Sequence, residues 1–146
     1  MMHISKFTSV LMLATTLLLT GCTFSRYGNY SEASLPANSS MANDAVSYLA
    51  SQYPPGRTTF QMKQIANDAF GVSLLQFLRS RGYAVQEYTP EKGATASGTP
   101  LGYVVNTLMP NTYQTTVYVG NATLSRAYLA ASDGKAYPAG PWSMEE

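Results

Sequence analysis

The sequence predicts an α+β domain, a two-layer sandwich in which two helices pack on one face of a largely antiparallel sheet of about four or five strands. Three observations point there: two apolar stripes at helical spacing in the first half, short alternating segments in the second, and hairpin signals at Pro110-Asn111 and Gly120-Asn121. The first helix is expected from Met41, because Met41, Ala45, Tyr48, Leu49 and Tyr53 recur at helical spacing. Ser39 or Ser40 is its predicted cap, and Pro54-Pro55-Gly56 its stop. Thr58, Phe60 and Met62 then alternate with polar neighbours as a short strand. Asn67 or Asp68 opens the second helix, whose stripe is Phe70, Leu74, Phe77 and Leu78; Arg79 and Arg81 suit the negative end of its dipole and Gly82 its exit. Tyr83 to Tyr88 reads as a strand and Thr89 to Pro100 as a loop. The meander follows as Leu101 to Leu108, Thr112 to Val119 and Ala122 to Ala130.

Alternation along the meander leaves apolar side chains on both faces. Tyr113, Val117 and Val119 share one side of their strand while Tyr118 takes the other, and Leu124 and Tyr128 oppose Ala127 and Leu129. Two helices can cover one face, so Tyr113, Tyr118 and Tyr128 are the candidate partner contacts for a spare face or a sheet edge. The plainer account is that tyrosines tolerate half-exposure.

Composition bounds the chemistry. The chain has 146 residues, 45% hydrophobic and 12% charged, which suits one domain. Nine basic against eight acidic side chains give no basic field for a phosphate backbone, so no direct nucleic-acid partner is expected. One cysteine and one histidine, Cys22 and His3, cannot build a disulfide framework, a multi-Cys/His zinc site or an internal Cys/His catalytic pair. The carboxylates are dispersed: Asp68 heads a helix, Glu87 sits on a strand, Glu91 and Asp133 occupy turns, and Glu145 and Glu146 end the chain. No catalytic set, resident metal, cofactor or small-molecule substrate is expected, and the chain reads as a non-enzyme. The segment Gly93 to Gly98 has phosphate-loop glycine spacing, but Thr99 and Pro100 stand where Lys and Ser/Thr are required.

The first 22 residues carry an address. Phe7 to Leu19 is an apolar run preceded by Lys6, of signal-peptide length and short of the roughly 20 residues a spanning helix needs. Leu19-Thr20-Gly21-Cys22 follows and resembles the lipobox of bacterial lipoproteins, in which the cysteine thiol is acylated and the peptide is cut in front of it. Covalent lipid on Cys22 is then the membrane anchor, and nothing in the folded domain has to bind lipid. Removing the first 21 of 146 residues leaves 125, with eight basic and eight acidic side chains and no histidine. The sequons at Asn29, Asn38 and Asn121 are then coincidental. Thr23 in place of Asp after the cysteine points, by sorting analogy, to the periplasmic face of the outer membrane. The Ser- and Asn-rich composition of Thr23 to Ser40 reads as a linker, so the division is signal peptide 1–21, lipidated cysteine and flexible tether 22–40, and periplasmic domain 41–146.

Several segments together resemble one family. Tyr53-Pro54-Pro55-Gly56-Arg57-Thr58, Asp68-Ala69-Phe70-Gly71, Leu78-Arg79-Ser80-Arg81-Gly82-Tyr83-Ala84-Val85, and Leu124-Ser125-Arg126-Ala127-Tyr128 before Pro138-Ala139-Gly140 are similar, in order and spacing, to the conjugal transfer lipoprotein TrbH family. The resemblance covers most of Met41 to Gly140 and includes the lipobox. It implies a structural subunit of a mating-pair-formation apparatus, a type IV secretion system that moves plasmid DNA, with other envelope subunits of the conjugation channel as partners. Only Cys22 transfers as a functional position; Arg57, Arg126 and Tyr128 match motif positions to which the resemblance gives no role, and for Arg126 a strand-surface cation or a local carboxylate pair is the simple reading. A periplasmic adaptor or activator lipoprotein acting on a cell-wall enzyme would show the same anchor, tether and domain.

Cys22→Ser should block acylation and cleavage, since serine lacks the thiolate chemistry that forms the thioether. Fractionation should show full-length precursor accumulating; normal mature size and membrane location would contradict the lipoprotein reading.

Overall fold

A computed structural model describes residues 26–91 and 97–146. The segment expected to be a signal peptide, Cys22 and residues 92–96 of the expected loop lie outside the described residues. Eleven elements follow in order: β1 (Gly28–Asn29), α1 (Leu35–Gln52), a 3-10 turn (Pro55–Arg57), β2 (Thr59–Met62), α2 (Ala69–Ser80), β3 (Ala84–Gln86), β4 (Thr99–Met109), β5 (Thr112–Val119), β6 (Ala122–Ala130), β7 (Ala136–Pro138) and β8 (Ser143–Glu145).

The class is α+β, but the sheet is mixed and has eight strands rather than four or five. Its main path runs β3-β2-β4-β5-β6-β7. The meander β4-β5-β6 is antiparallel, as expected from its two hairpin turns, with Asn111 at φ 60° in the first and Gly120 at φ 57° in the second. β2 and β3 pair in parallel because α2 lies between them and carries the chain back to the starting end, which a tight hairpin cannot do. β2 and β4 are also parallel. Short strands complete both flanks. β1 pairs in parallel with β4 at Val104 and Val105, beyond the residues that β2 occupies, while β7 and β8 share the far edge of β6.

Composition assigns residues 22–40 to a tether, and of these residues 26–40 are folded onto the domain. The Tyr30 amide donates to the Val105 carbonyl at 2.7 Å, and Ser34, not Ser39 or Ser40, caps α1 by accepting from the Ala37 amide at 3.2 Å. Pro36 falls in the first helical turn, where its missing N–H costs nothing. Tyr27 lies across β4: a Cβ on Gly102 would come within 2.6 Å of its ring. The close approach requires glycine there.

The buried set is one cluster. Met41, Val46 and Leu49 of α1 and Phe70, Leu74 and Leu78 of α2 are buried with Phe60, Met62, Leu101, Tyr103, Val105, Tyr113, Val117, Leu124 and Tyr128 of the strands. The α2 stripe is as predicted except at Phe77, which is half-buried, while Leu75 is buried in its place. A Cβ on Gly71 would meet the Tyr103 hydroxyl at 2.1 Å and Ala66 at 2.9 Å.

Leu78→Ala and Phe70→Ala should each lower unfolding free energy by about 2–5 kcal/mol, since lost transfer energy and cavity terms add. Gly71→Ala should cost about 1–3 kcal/mol through overpacking, and the exposed Gln76→Ala close to nothing. Denaturant melts of the soluble domain check the ranking; equal shifts for all four would show that the buried face is misplaced.

Candidate interaction surface

The inward face of the sheet is fastened to the helices by two carboxylates. Asp68, the N-cap of α2, accepts from the Phe70 and Gly71 amides through Oδ1, both at 3.0 Å. The same oxygen accepts from Asn29 Nδ2 at 3.2 Å, and Oδ2 accepts from the Tyr103 hydroxyl of β4. Asn29 Nδ2 also donates to Asn38 Oδ1 at 2.8 Å, and Asn38 Nδ2 donates to the Ala33 and Ser34 carbonyls. One hub therefore joins β1, the head of α1, the head of α2 and the centre of the sheet. Two of the sequon asparagines, Asn29 and Asn38, are spent in this network.

Asp44 of α1 does the same for β6. It accepts from Arg126 Nη1 at 3.0 and 3.2 Å and from the Tyr128 hydroxyl at 2.6 Å. Arg126 Nε donates to the Gly140 carbonyl at 2.8 Å, and its guanidinium lies 5.8 Å from the Trp142 ring centre, which stacks on Tyr48 at 5.1 Å. Arg126 is thus a carboxylate partner, but of a residue 82 positions away, and it also holds down the C-terminal strands. A charged residue at position 44, between Met41 and Tyr48 on the apolar stripe, was the sequence signal for such a partner.

The candidate tyrosines fare differently. Tyr113 and Tyr128 are buried in the core and cannot serve as exposed contacts. Both are on the side of the sheet that includes Val117 and Leu124, and the register pairs them with each other. Tyr118 is half-buried on the opposite face, its ring edge-on to Tyr27 with centres 5.5 Å apart and 4.9 Å from the Arg26 guanidinium. Arg57 is exposed in the 3-10 turn. Cys22 lies outside the described residues.

Exposed apolar side chains instead gather at the other end of that face. Met109 pairs with Thr112, Thr112 with Leu129 and Leu129 with Tyr137, so the four form one row across β4 to β7. Met109 is 61% exposed, Leu129 52% and Tyr137 49%, and Leu108 beside them is also exposed. Three large, half-exposed apolar groups thus share one row, with Thr112 of β5 between Met109 of β4 and Leu129 of β6. Thr112 of this row and Tyr118 are six residue steps apart along β5, about 20 Å at strand rise. Elsewhere a groove of 540 Å³ opens between Tyr27 to Tyr30, Lys63 to Ile65, Asn67, Asp68 and Tyr88. Among the described residues no three His, Cys, Asp or Glu side chains gather as a metal site, and no helix is long and apolar enough to cross a membrane.

The family model for conjugal transfer protein TrbH matches residues 24–146. The chain belongs to the TrbH family. Comparison with curated proteins and with solved structures returned no match. The TrbH match begins two residues after Cys22 and spans β1 to β8, so both carboxylate hubs and the exposed row belong to the family region.

Burial, and then the hydrogen bond to a carboxylate, pushes the Tyr103 and Tyr128 phenols above their ordinary value of 10.0. A raised native pKa stabilises the fold fully below the unfolded value and loses that contribution as pH rises past it. In this TrbH-family domain, stability should therefore fall above about pH 10, by about 1.4 kcal/mol per pH unit for each phenol. Tyr128→Phe should cost about 1.5–3 kcal/mol at neutral pH by removing a charge-assisted hydrogen bond, and should flatten that alkaline slope. Urea midpoints from about pH 8 to about pH 11 compare the two; an unchanged slope in the variant would mean that Tyr128 is not a buried donor.

Proposed function

We propose that this chain is an outer-membrane-anchored structural lipoprotein of a conjugative type IV secretion apparatus, facing the periplasm and supporting assembly of the channel for plasmid DNA. The family match over residues 24–146 carries the reading, since it assigns conjugal transfer to the whole folded region. The lipobox at Leu19 to Cys22 supports the anchor. A non-enzymatic role agrees with where the polar groups are: Asp44, Asp68, Arg126, Tyr103 and Tyr128 hold helices to strands.

Both helices are taken as one layer over one sheet face. Met41 of α1 receives the Thr115 hydroxyl at 3.7 Å, and Phe70 of α2 packs against Tyr103 with ring centres 5.0 Å apart. The opposite face then carries the row Met109, Leu129 and Tyr137, which takes an envelope subunit of the same apparatus. Large apolar groups at the centre of an interface commonly dominate its energy.

Leu129→Asp and Tyr137→Asp should leave the circular dichroism spectrum and membrane fraction unchanged while lowering plasmid transfer from donor cells about tenfold or more, the effect of losing ~1.4 kcal/mol at one interface. Donor growth should be unaffected. Wild-type transfer by folded, localised variants of the row, and by a deletion of the domain, would contradict the conjugation reading and favour an adaptor for a cell-wall enzyme.

A further inference from the structure

The fold begins so early that it limits how far the domain can stand from a bilayer. The described fold starts at Arg26, and four peptide units separate it from Cys22. Whatever conformation they take, four residues span at most about 14 Å. A domain of the 121 residues from Arg26 to Glu146 has a radius of gyration of about 14 Å. A leash no longer than the domain's own radius keeps the attachment side turned to the anchor.

That side has interfacial chemistry. Arg26 is exposed, with its guanidinium 4.9 Å from the Tyr118 ring centre and 5.1 Å from that of Tyr27. Next to it the 540 Å³ groove is walled by Tyr27 and Tyr30 on one side and Lys63 and Ile65 on the other. Tyr30 is 59% exposed and Ile65 54%. Tyrosine rings and a branched aliphatic chain flanked by cations suit the headgroup layer, where one end of each side chain is apolar and phosphate esters meet the charge. The carboxylate in the groove wall, Asp68, is already occupied by amide and phenol donors.

We infer that the Arg26–Tyr30 and Lys63–Ile65 corner is the membrane-docking surface of the domain, lying on the phospholipid headgroups of the leaflet that holds the Cys22 lipid. This deepens the anchor reading and rests on it. The domain is held at the bilayer, not displayed at the end of a long tether. The row at Met109, Leu129 and Tyr137 lies beyond Tyr30 along β4, toward the other end of the same sheet face.

The test uses the full chain, acylated in cells and reconstituted into vesicles of phosphatidylethanolamine and phosphatidylglycerol containing a headgroup-spin-labelled lipid. Once Cys22 is acylated, an introduced cysteine is the free thiol, so a fluorophore is placed singly by Ile65→Cys, by Tyr30→Cys, and by Asn43→Cys on the exposed side of α1. Mass spectrometry first establishes the acyl group. Docking predicts headgroup quenching of the Ile65 and Tyr30 labels roughly threefold or more above that of the Asn43 label. Equal quenching at all three positions on an acylated chain would overturn the docking alone, and leave the groove to a protein partner. A mature chain without the acyl mass would overturn the anchor and the docking together.

Discussion

A single carboxylate at the head of α2 determines where this chain starts to be a domain. Asp68 accepts hydrogen bonds from the first turn of its own helix, from Asn29 of β1 and from Tyr103 at the centre of the sheet. Hydrogen bonds to an ionised acceptor contribute about 1.5–3 kcal/mol each, and removing the acceptor leaves its donors buried and unpaired. β1 has two residues and could not hold itself to β4 by its ladder alone. The Asn29 side chain, clamped between Asp68 and Asn38, supplies what the strand lacks. Asp44 repeats the device on α1, with Tyr128 as the phenol and Arg126 as an added cation. Each helix is thereby fixed to the sheet by one acid and one tyrosine, at the two sides of the meander.

Local signals made part of this fold legible. The α2 stripe, its Asp68 cap and the hairpins around Asn111 and Gly120 are each contained in a short stretch of sequence, and β5 and β6 fall where alternation puts them. β1, β7 and β8 have two or three residues each and exist only because β4 and β6 offer them a partner, so no periodicity announces them. The head of α1 was hidden for another reason: Ser34, Pro36 and Asn38 have linker composition, yet they act as cap, first-turn proline and buried network member. The parallel pairing of β2, β3 and β4 depends on the path of α2, which spacing does not reveal.

The candidate surface divides in the same way. Alternation separated Tyr113 from Tyr118 correctly, but which face would be covered was not written in the strand, and Tyr113 and Tyr128 are core. Leu129 was visible only as an apolar residue on the side opposite Leu124 and Tyr128; Met109 and Tyr137 join it through cross-strand register and a shift in the β4–β5 pairing after Thr107. The partner of Arg126 lies 82 residues away, out of reach of any local reading. In the proposed role, the two ends of one sheet face serve different neighbours: the Arg26 end the bilayer, and the Leu129 end another subunit of the conjugation apparatus.

All of this depends on residues 26–30 being part of the domain and not a tether. The most direct measurement is hydrogen exchange at the Tyr30 amide, which donates to the Val105 carbonyl. In the soluble domain from residue 24 onward this amide should be protected to nearly the level of the β5 amides, and Asp68→Ala should release it while β5 stays protected. Exchange of the wild-type Tyr30 amide at the rate of an unstructured peptide would contradict the account.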